Sequence, residues 1–224
     1  MDGAARRHLI IETVTPLFAR KGFAGVTTRE IAKAAGVSEA LVFRHFPTKA
    51  ALYEEILRLG CQGDPDLARL ETLSPSTDTL VLLTYGMIRH IVLGELGDKG
   101  LMTTRLRLVS HSILEDGDYA RIHFADVSRY VQAIFIASIE AARQAGDLRP
   151  CRLSPVNAFW FVEHLAAQMA YGLLPEAGVF SYQGELDAVL LEAAQFVLRG
   201  IGLKDELVVA PFDLARLCVL SGTK

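Results

Sequence analysis

The residue types that could do chemistry in this chain are concentrated between Thr27 and Leu52, in the run TTREIAKAAGVSEALVFRHFPTKAAL. It holds three kinds of polar group useful against a nucleic acid. Arg29 and Lys49 are cations that can neutralise phosphate, a contact that positions a protein without reading sequence. Arg44 offers a planar fork that matches the guanine edge, and Glu39 is an acceptor that suits cytosine. Thr28 and Ser38 add hydroxyls, and Ala40, Leu41, Phe43 and His45 stand among them at helical spacing. Other chemistry has weaker support. His90, His111, His123 and His164 fall on four different expected helices, without the i, i+4 or carboxylate-histidine spacing of a metal site. No glycine-rich phosphate loop, CxxC pair or local nucleophile signature occurs, so neither a catalytic residue, a metal ligand nor a cofactor is expected. Cys61, Cys151 and Cys218 are odd in number and far apart, which reads as unpaired thiols.

These residues need short, well-terminated helices to hold them. Thr27 and Glu30 stand at capping-box spacing, so a first helix starts at Thr28, and Ile31, Ala32 and Ala35 give it an apolar stripe. Gly36 stops it by taking a left-handed backbone, and Val37 can plug the corner. Ser38 caps the next helix, whose buried side carries Val42 and Phe46 four residues apart. Pro47 cannot extend that helix, and Thr48 caps a third that begins at Lys49. This is a helix-turn-helix, and in that motif the second helix enters the major groove while the first crosses the backbone. Lysine in a first turn opposes the helix dipole, and an incoming phosphate would account for Lys49 there.

Over residues 18–57 the chain resembles the DNA-binding domain of TetR-type transcriptional regulators. Phe18, Gly22, Thr27, Thr28, Ile31, Ala32, Gly36, Val37, Ser38, Val42, Phe43, His45, Phe46, Thr48 and Lys49 follow the family pattern in order. Phe43 departs from it, since the family often has a tyrosine there whose hydroxyl could meet a phosphate. The resemblance implies an all-α protein with an N-terminal three-helix helix-turn-helix domain, followed by a C-terminal helical bundle for ligand binding and dimerisation. It also implies a double-stranded, palindromic DNA operator as partner. The expected DNA face is Thr28, Arg29, Ser38, Glu39, Ala40, Leu41, Phe43, Arg44, His45 and Lys49.

Charge distribution agrees with a basic head on an acidic body. Residues 1–53 hold eight Lys/Arg against four Asp/Glu, net +4; the remaining fifteen and twenty-two give −7 and the overall −3. Hydrophobic residues make up 51% of the chain, yet no long apolar run is free of charge, and Met1 to Arg7 leads into an amphipathic helix rather than a signal sequence. The expected location is the cytoplasm. Ahead of the motif, residues 6–20 form a supporting helix that ends at Gly22, and Arg6 and Arg7 read as solvated charges rather than phosphate contacts.

Glycine and polar residues near 60 place the domain boundary there, giving a DNA-binding domain at 1–60 and an effector-binding and dimerisation domain at 61–224. Further helices are expected at 49–59, 67–73, 78–96, 101–114, 119–144, 155–174 and 184–203, with Ser154 capping the sixth, and no strand is expected. The last two long helices are apolar on more than one face, and a four-helix seam between two copies would bury them, with Leu190 and Val197 on it. Residues 78–145 mix aliphatics with Met87, Ser110, Phe124, Tyr130 and Phe135, a composition suited to a small-molecule pocket and equally to core packing. The reading is a homodimeric repressor, cytoplasmic and not an enzyme, released from its operator by a small, largely apolar ligand. Two alternatives stand beside it: a ligand-independent architectural or partner-binding protein, and an all-helical enzyme.

Overall fold

The computed structural model describes residues 3–60, 73–94 and 99–208, with the side chains of 57–60, 99–101, Asp126 and Tyr130 left out. Eleven α-helices and one π-helical stretch make up the described residues. They are α1 (Gly3–Lys21), α2 (Thr28–Ala35), α3 (Glu39–His45), α4 (Lys49–Gly60), α5 (Thr77–Leu93), α6 (Lys99–Leu114), α7 (Asp118–Val127), α8 (Ala133–Gln144), α9 (Pro155–Gly172), α10 (Leu186–Ile201) and α11 (Asp205–Val208). The fold is all-α, with a helix-turn-helix near its start. The expected short helix at 67–73 falls almost wholly outside the described residues. So do Cys61 and Cys218; Cys151 is a free, exposed thiol.

Two compact units divide the chain: Met1–Gln62 with Thr103–Asp126, and Gly63–Met102 with Val127–Lys224. The first break lies close to the expected residue 60, but the head unit also takes in 103–126. Leu108, Val109, Tyr119 and Ala120 are buried in one cluster with Ile10, Val14 and Phe18 of α1, Ile31 of α2, Val42 of α3 and Leu52 of α4. Local spacing cannot reveal that return, because it is a pairing of apolar faces far apart in sequence. Tyr53 fills the edge of this core, with the Phe18 ring 5.0 Å and the Phe23 ring 5.2 Å away.

In the second unit α5 is the central helix, and α8, α9 and α10 all pack on it. Leu80, Ile88, Phe135, Phe159 and Leu190 are fully buried there. Small residues make the close approach possible: Ala158, Ala166, Ala167 and Ala170 line the buried side of α9. An isolated bridge between Leu148 and Leu203 closes the unit near its end, with Arg149 N–H donating to the Gly202 carbonyl at 2.8 Å.

Four expectations are corrected in this unit. Ser76, not Asp78, opens α5, because its hydroxyl accepts from the Thr79 amide at 3.0 Å, and Gly94 ends it with φ 69°. The helix expected over 119–144 passes through a π-helical stretch, Ser128–Gln132, between α7 and α8. Ser154 precedes α9 without a side-chain cap bond, and Pro155 alone pre-sets the start. Leu190 (0% exposed) and Val197 belong to the unit's own core; the exposed large apolar residues of α9 and α10 are Val156, Phe161 (55%), Leu191 and Phe196 (73%).

Glu163 is the anomaly of this core. It is buried on α9, and its nearest basic neighbour among the described residues is His164, whose Nε2 lies 3.6 Å from Oε2. Burial pushes its pKa up from 4.5 to about 7. Between those values the folded state keeps a proton that the unfolded state has lost, so stability falls as pH rises from 4.5 to about 7. Denaturant unfolding at several pH values should show Glu163→Gln with a flatter profile across that window. At pH 8 the variant should be more stable than the parent by up to about 3 kcal/mol. A less stable variant at pH 8 would mean that a partner holds the carboxylate in its charged form.

Candidate nucleic-acid interface

The head presents its polar residues through two capped helices joined by one glycine. At the start of α2 both bonds of the capping box form: the Glu30 amide donates to Thr27 Oγ1 at 3.3 Å, and the Thr27 amide donates to Glu30 Oε2 at 2.9 Å. Lys21 also donates to Glu30, and with the Thr27 bonds it holds the Glu30 carboxyl down to about 2. The end of α1 is thereby tied to the start of α2. Gly36 closes α2 at φ 65°, and Val37 N–H then reaches back to the Ala32 carbonyl at 3.0 Å. Ser38 Oγ accepts from the Leu41 amide at 3.2 Å and sets the start of α3.

On this frame Arg29, Ser38, Glu39, Ala40, Phe43 and Arg44 are exposed, and Thr28, Leu41, His45 and Lys49 are half-buried. Val42 and Phe46 are the buried anchors of α3, as their spacing predicts. Leu41 is less open than expected. Glu39 is partly engaged, because Thr28 Oγ1 donates to its Oε2 at 2.9 Å; that bond joins the first turns of α2 and α3. Phe43 is an exposed aromatic on α3, 38% accessible.

Lys49 does not point its ammonium away from the fold. Nζ donates to the Phe23 carbonyl at 2.8 Å and the Val26 carbonyl at 2.9 Å, and lies 4.2 Å over the Phe23 ring. A lysine in the first turn of α4 is therefore accounted for without an incoming phosphate: the loop between α1 and α2 supplies the acceptors that the helix N-terminus lacks. Arg7 departs from expectation too, since its guanidinium bonds to the His45 carbonyl and meets Glu55 instead of lying in solvent. Lys33, absent from the expected face, is exposed on α2 four residues after Arg29. The i, i+4 spacing is its signal in the sequence, for it puts both cations on one side of the helix.

The residues named for an effector are divided between the two units. Ser110 and Phe124 belong to the head unit, while Met87 and Phe135 belong to the second. Phe135 is fully buried edge-on against Phe159, 5.7 Å between ring centroids, and Phe124 packs against the head core beside His123. The Tyr130 side chain lies outside the described residues. No three His, Cys, Asp or Glu side chains gather into a metal-binding group among the described residues, and no helix there is long and apolar enough to cross a membrane.

With this geometry in view, the likenesses to known proteins fall into place. Residues 10–56 match the family described as bacterial regulatory proteins, tetR family. The nucleoid occlusion factor SlmA of Vibrio campbellii is 28% identical over 118 residues, 52% of this chain and 57% of that protein, so the chain spans little more than half of that relative. A bacterial regulatory protein of the tetR family from Rhodococcus RHA1 superposes with a TM-score of 0.62 at 22% identity, covering 89% of this chain and 98% of that one. AibR in complex with isovaleryl coenzyme A and operator DNA also superposes at 0.62, with 20% identity over 89% of this chain and 100% of that one. Residues 10–56 are thus a TetR-type helix-turn-helix domain, and the chain shares its fold over 89% of its length with a solved tetR-family protein.

Proposed function

We propose that the protein is a homodimeric transcriptional regulator that binds operator DNA in the cytoplasm through residues 1–60 and is released by a small, largely apolar ligand bound within residues 61–224. The observation that carries the DNA reading is the exposed face of α3. Ser38 caps a helix anchored by Val42 and Phe46, which leaves Glu39, Ala40, Phe43 and Arg44 outward beside the Arg29 and Lys33 row of α2. Cations on the helix that crosses the backbone suit phosphate, and groups on the following helix suit base edges. Similarity to AibR, solved with operator DNA and isovaleryl coenzyme A, supports both halves of the reading. A second reading, DNA binding without a small-molecule effector, is favoured by the likeness to a nucleoid occlusion factor.

Selecting bound duplexes from a random pool tests the function itself, and a reproducible palindrome is the expected product. Arg44→Ala should relax preference at one base pair of each half-site, at a cost of about 1–3 kcal/mol. Arg29→Ala should weaken all sequences alike and flatten the salt dependence by about one unit. Lys49→Ala should leave the salt slope unchanged and lower the unfolding midpoint, since it breaks two charge-assisted bonds inside the head. A flattened slope for Lys49→Ala with unchanged stability would return that lysine to the DNA face.

Dimerisation is assigned to the outward faces of α9 and α10, where Phe161, Leu191 and Phe196 leave apolar surface for a second copy. Two recognition helices must lie about 34–36 Å apart to reach successive major grooves, and a dimer provides that spacing. In sedimentation, Phe196→Asp should yield a folded monomer, because a charge placed in the seam is buried without a partner. A Phe196→Asp protein that stays dimeric would remove α10 from the seam.

Release requires that the ligand and the operator disfavour each other by one common factor. Candidate apolar ligands, and isovaleryl coenzyme A as an apolar acyl group on a charged carrier, can be titrated calorimetrically into the free protein and into its DNA complex. A roughly 5- to 150-fold weaker affinity in the complex is expected. Equal affinities would favour the ligand-independent reading.

A further inference from the structure

The C-terminal end of α3 is held by a residue from another helix. Arg7 sits in α1, 38 positions before His45, and its Nη1 donates to the His45 carbonyl at 2.7 Å. The guanidinium carbon lies 4.3 Å over the ring of buried Phe46, and Nη2 meets Glu55 Oε1 of α4 at 3.3 Å. The last carbonyls of a helix have no partner within it, and a cation at that end also complements the helix dipole. Arginine suits the place because its rigid fork can serve a carbonyl and a carboxylate together while its plane stacks on a ring; lysine, a single point of charge, cannot.

We propose that Arg7 is a positioning residue for DNA reading: the bridge from Glu55 through Arg7 to the His45 carbonyl fixes the end of α3, beside Arg44, to α4. This rests on the proposed role of α3 as the reading helix. A shift of α4 then reaches α3 through a defined pair of contacts. Two of the five guanidinium N–H donors are engaged inside the head, and on this proposal Arg7 acts through the geometry of α3 and not as a phosphate contact.

Binding of the full-length protein and its variants to two duplexes tests this: the one the wild type enriches from a random pool, and a scrambled duplex of equal length, each over a range of salt. Arg7→Gln and Glu55→Gln should each reduce the preference for the enriched duplex by about three- to tenfold, with the salt slope on scrambled DNA unchanged. The double variant should lose little more than either single one, because the two groups act as a unit. Arg7→Lys should restore only part of the preference. Glu55→Gln is decisive by its sign. Removing a negative charge from a DNA-binding head should by electrostatics tighten both duplexes, whereas loss of the bridge weakens the enriched one. It also carries the test alone should Arg7→Gln fail to fold. Equal weakening of both duplexes by Arg7→Gln, with a slope about one unit flatter, would make Arg7 a phosphate contact and overturn the proposal. So would a Glu55→Gln protein whose preference is unchanged. A wild-type chain that enriches no duplex would instead sink the DNA-reading function.

Discussion

A helix of seven residues cannot sustain itself in water, because nucleation costs more than so few internal hydrogen bonds return. The helix α3, Glu39–His45, is that short. Its existence and direction therefore depend on what grips it from outside. Three grips are visible: the Ser38 hydroxyl on the Leu41 amide, the burial of Val42 and Phe46 in the head core, and the Arg7 guanidinium on the His45 carbonyl. Burying the Phe46 side chain contributes about 1.5–3 kcal/mol. The exposed positions between the grips are then free to vary in chemistry without loss of the helix, which is the condition a sequence-reading surface requires.

Much of the head could be read from the chain because its punctuation is local. A cap and its helix lie within three residues, a terminating glycine takes a backbone no other residue takes cheaply, and buried positions recur at i and i+4. Those signals placed α2, α3 and the start of α4. What escaped was long-range. Nothing in the neighbourhood of Arg7 or Lys49 says that the one will meet a carbonyl 38 positions later or the other two carbonyls 26 and 23 positions earlier. The return of Leu108, Val109 and Tyr119 to the head core has the same cause.

The second unit shows a different limit. An apolar helix announces that it is buried, but not which of its faces meets its own subunit. The pattern of α10 gave Leu190 and Val197 the same standing as Phe196, and only packing on α5 separates the residues of the core from the 73% exposed phenylalanine. Pocket residues are harder still. Phe135 and Phe124 have the composition of a ligand site, and composition alone does not tell such a role from the aromatic packing that each makes within its own unit. Glu163 was invisible for the opposite reason, since a lone glutamate in a helix is ordinarily solvated and its burial emerges only from the helices around it.

The central claim is that DNA is met by one face of the head, built from α2 and α3. Amide hydrogen exchange of the full-length protein, with and without the duplex it selects, addresses that face without altering a residue. Added protection should concentrate in residues 27–45, strongest across the α2–α3 turn and α3, with α9 and α10 unchanged. Protection elsewhere, with exchange in 27–45 unaffected, would contradict the account.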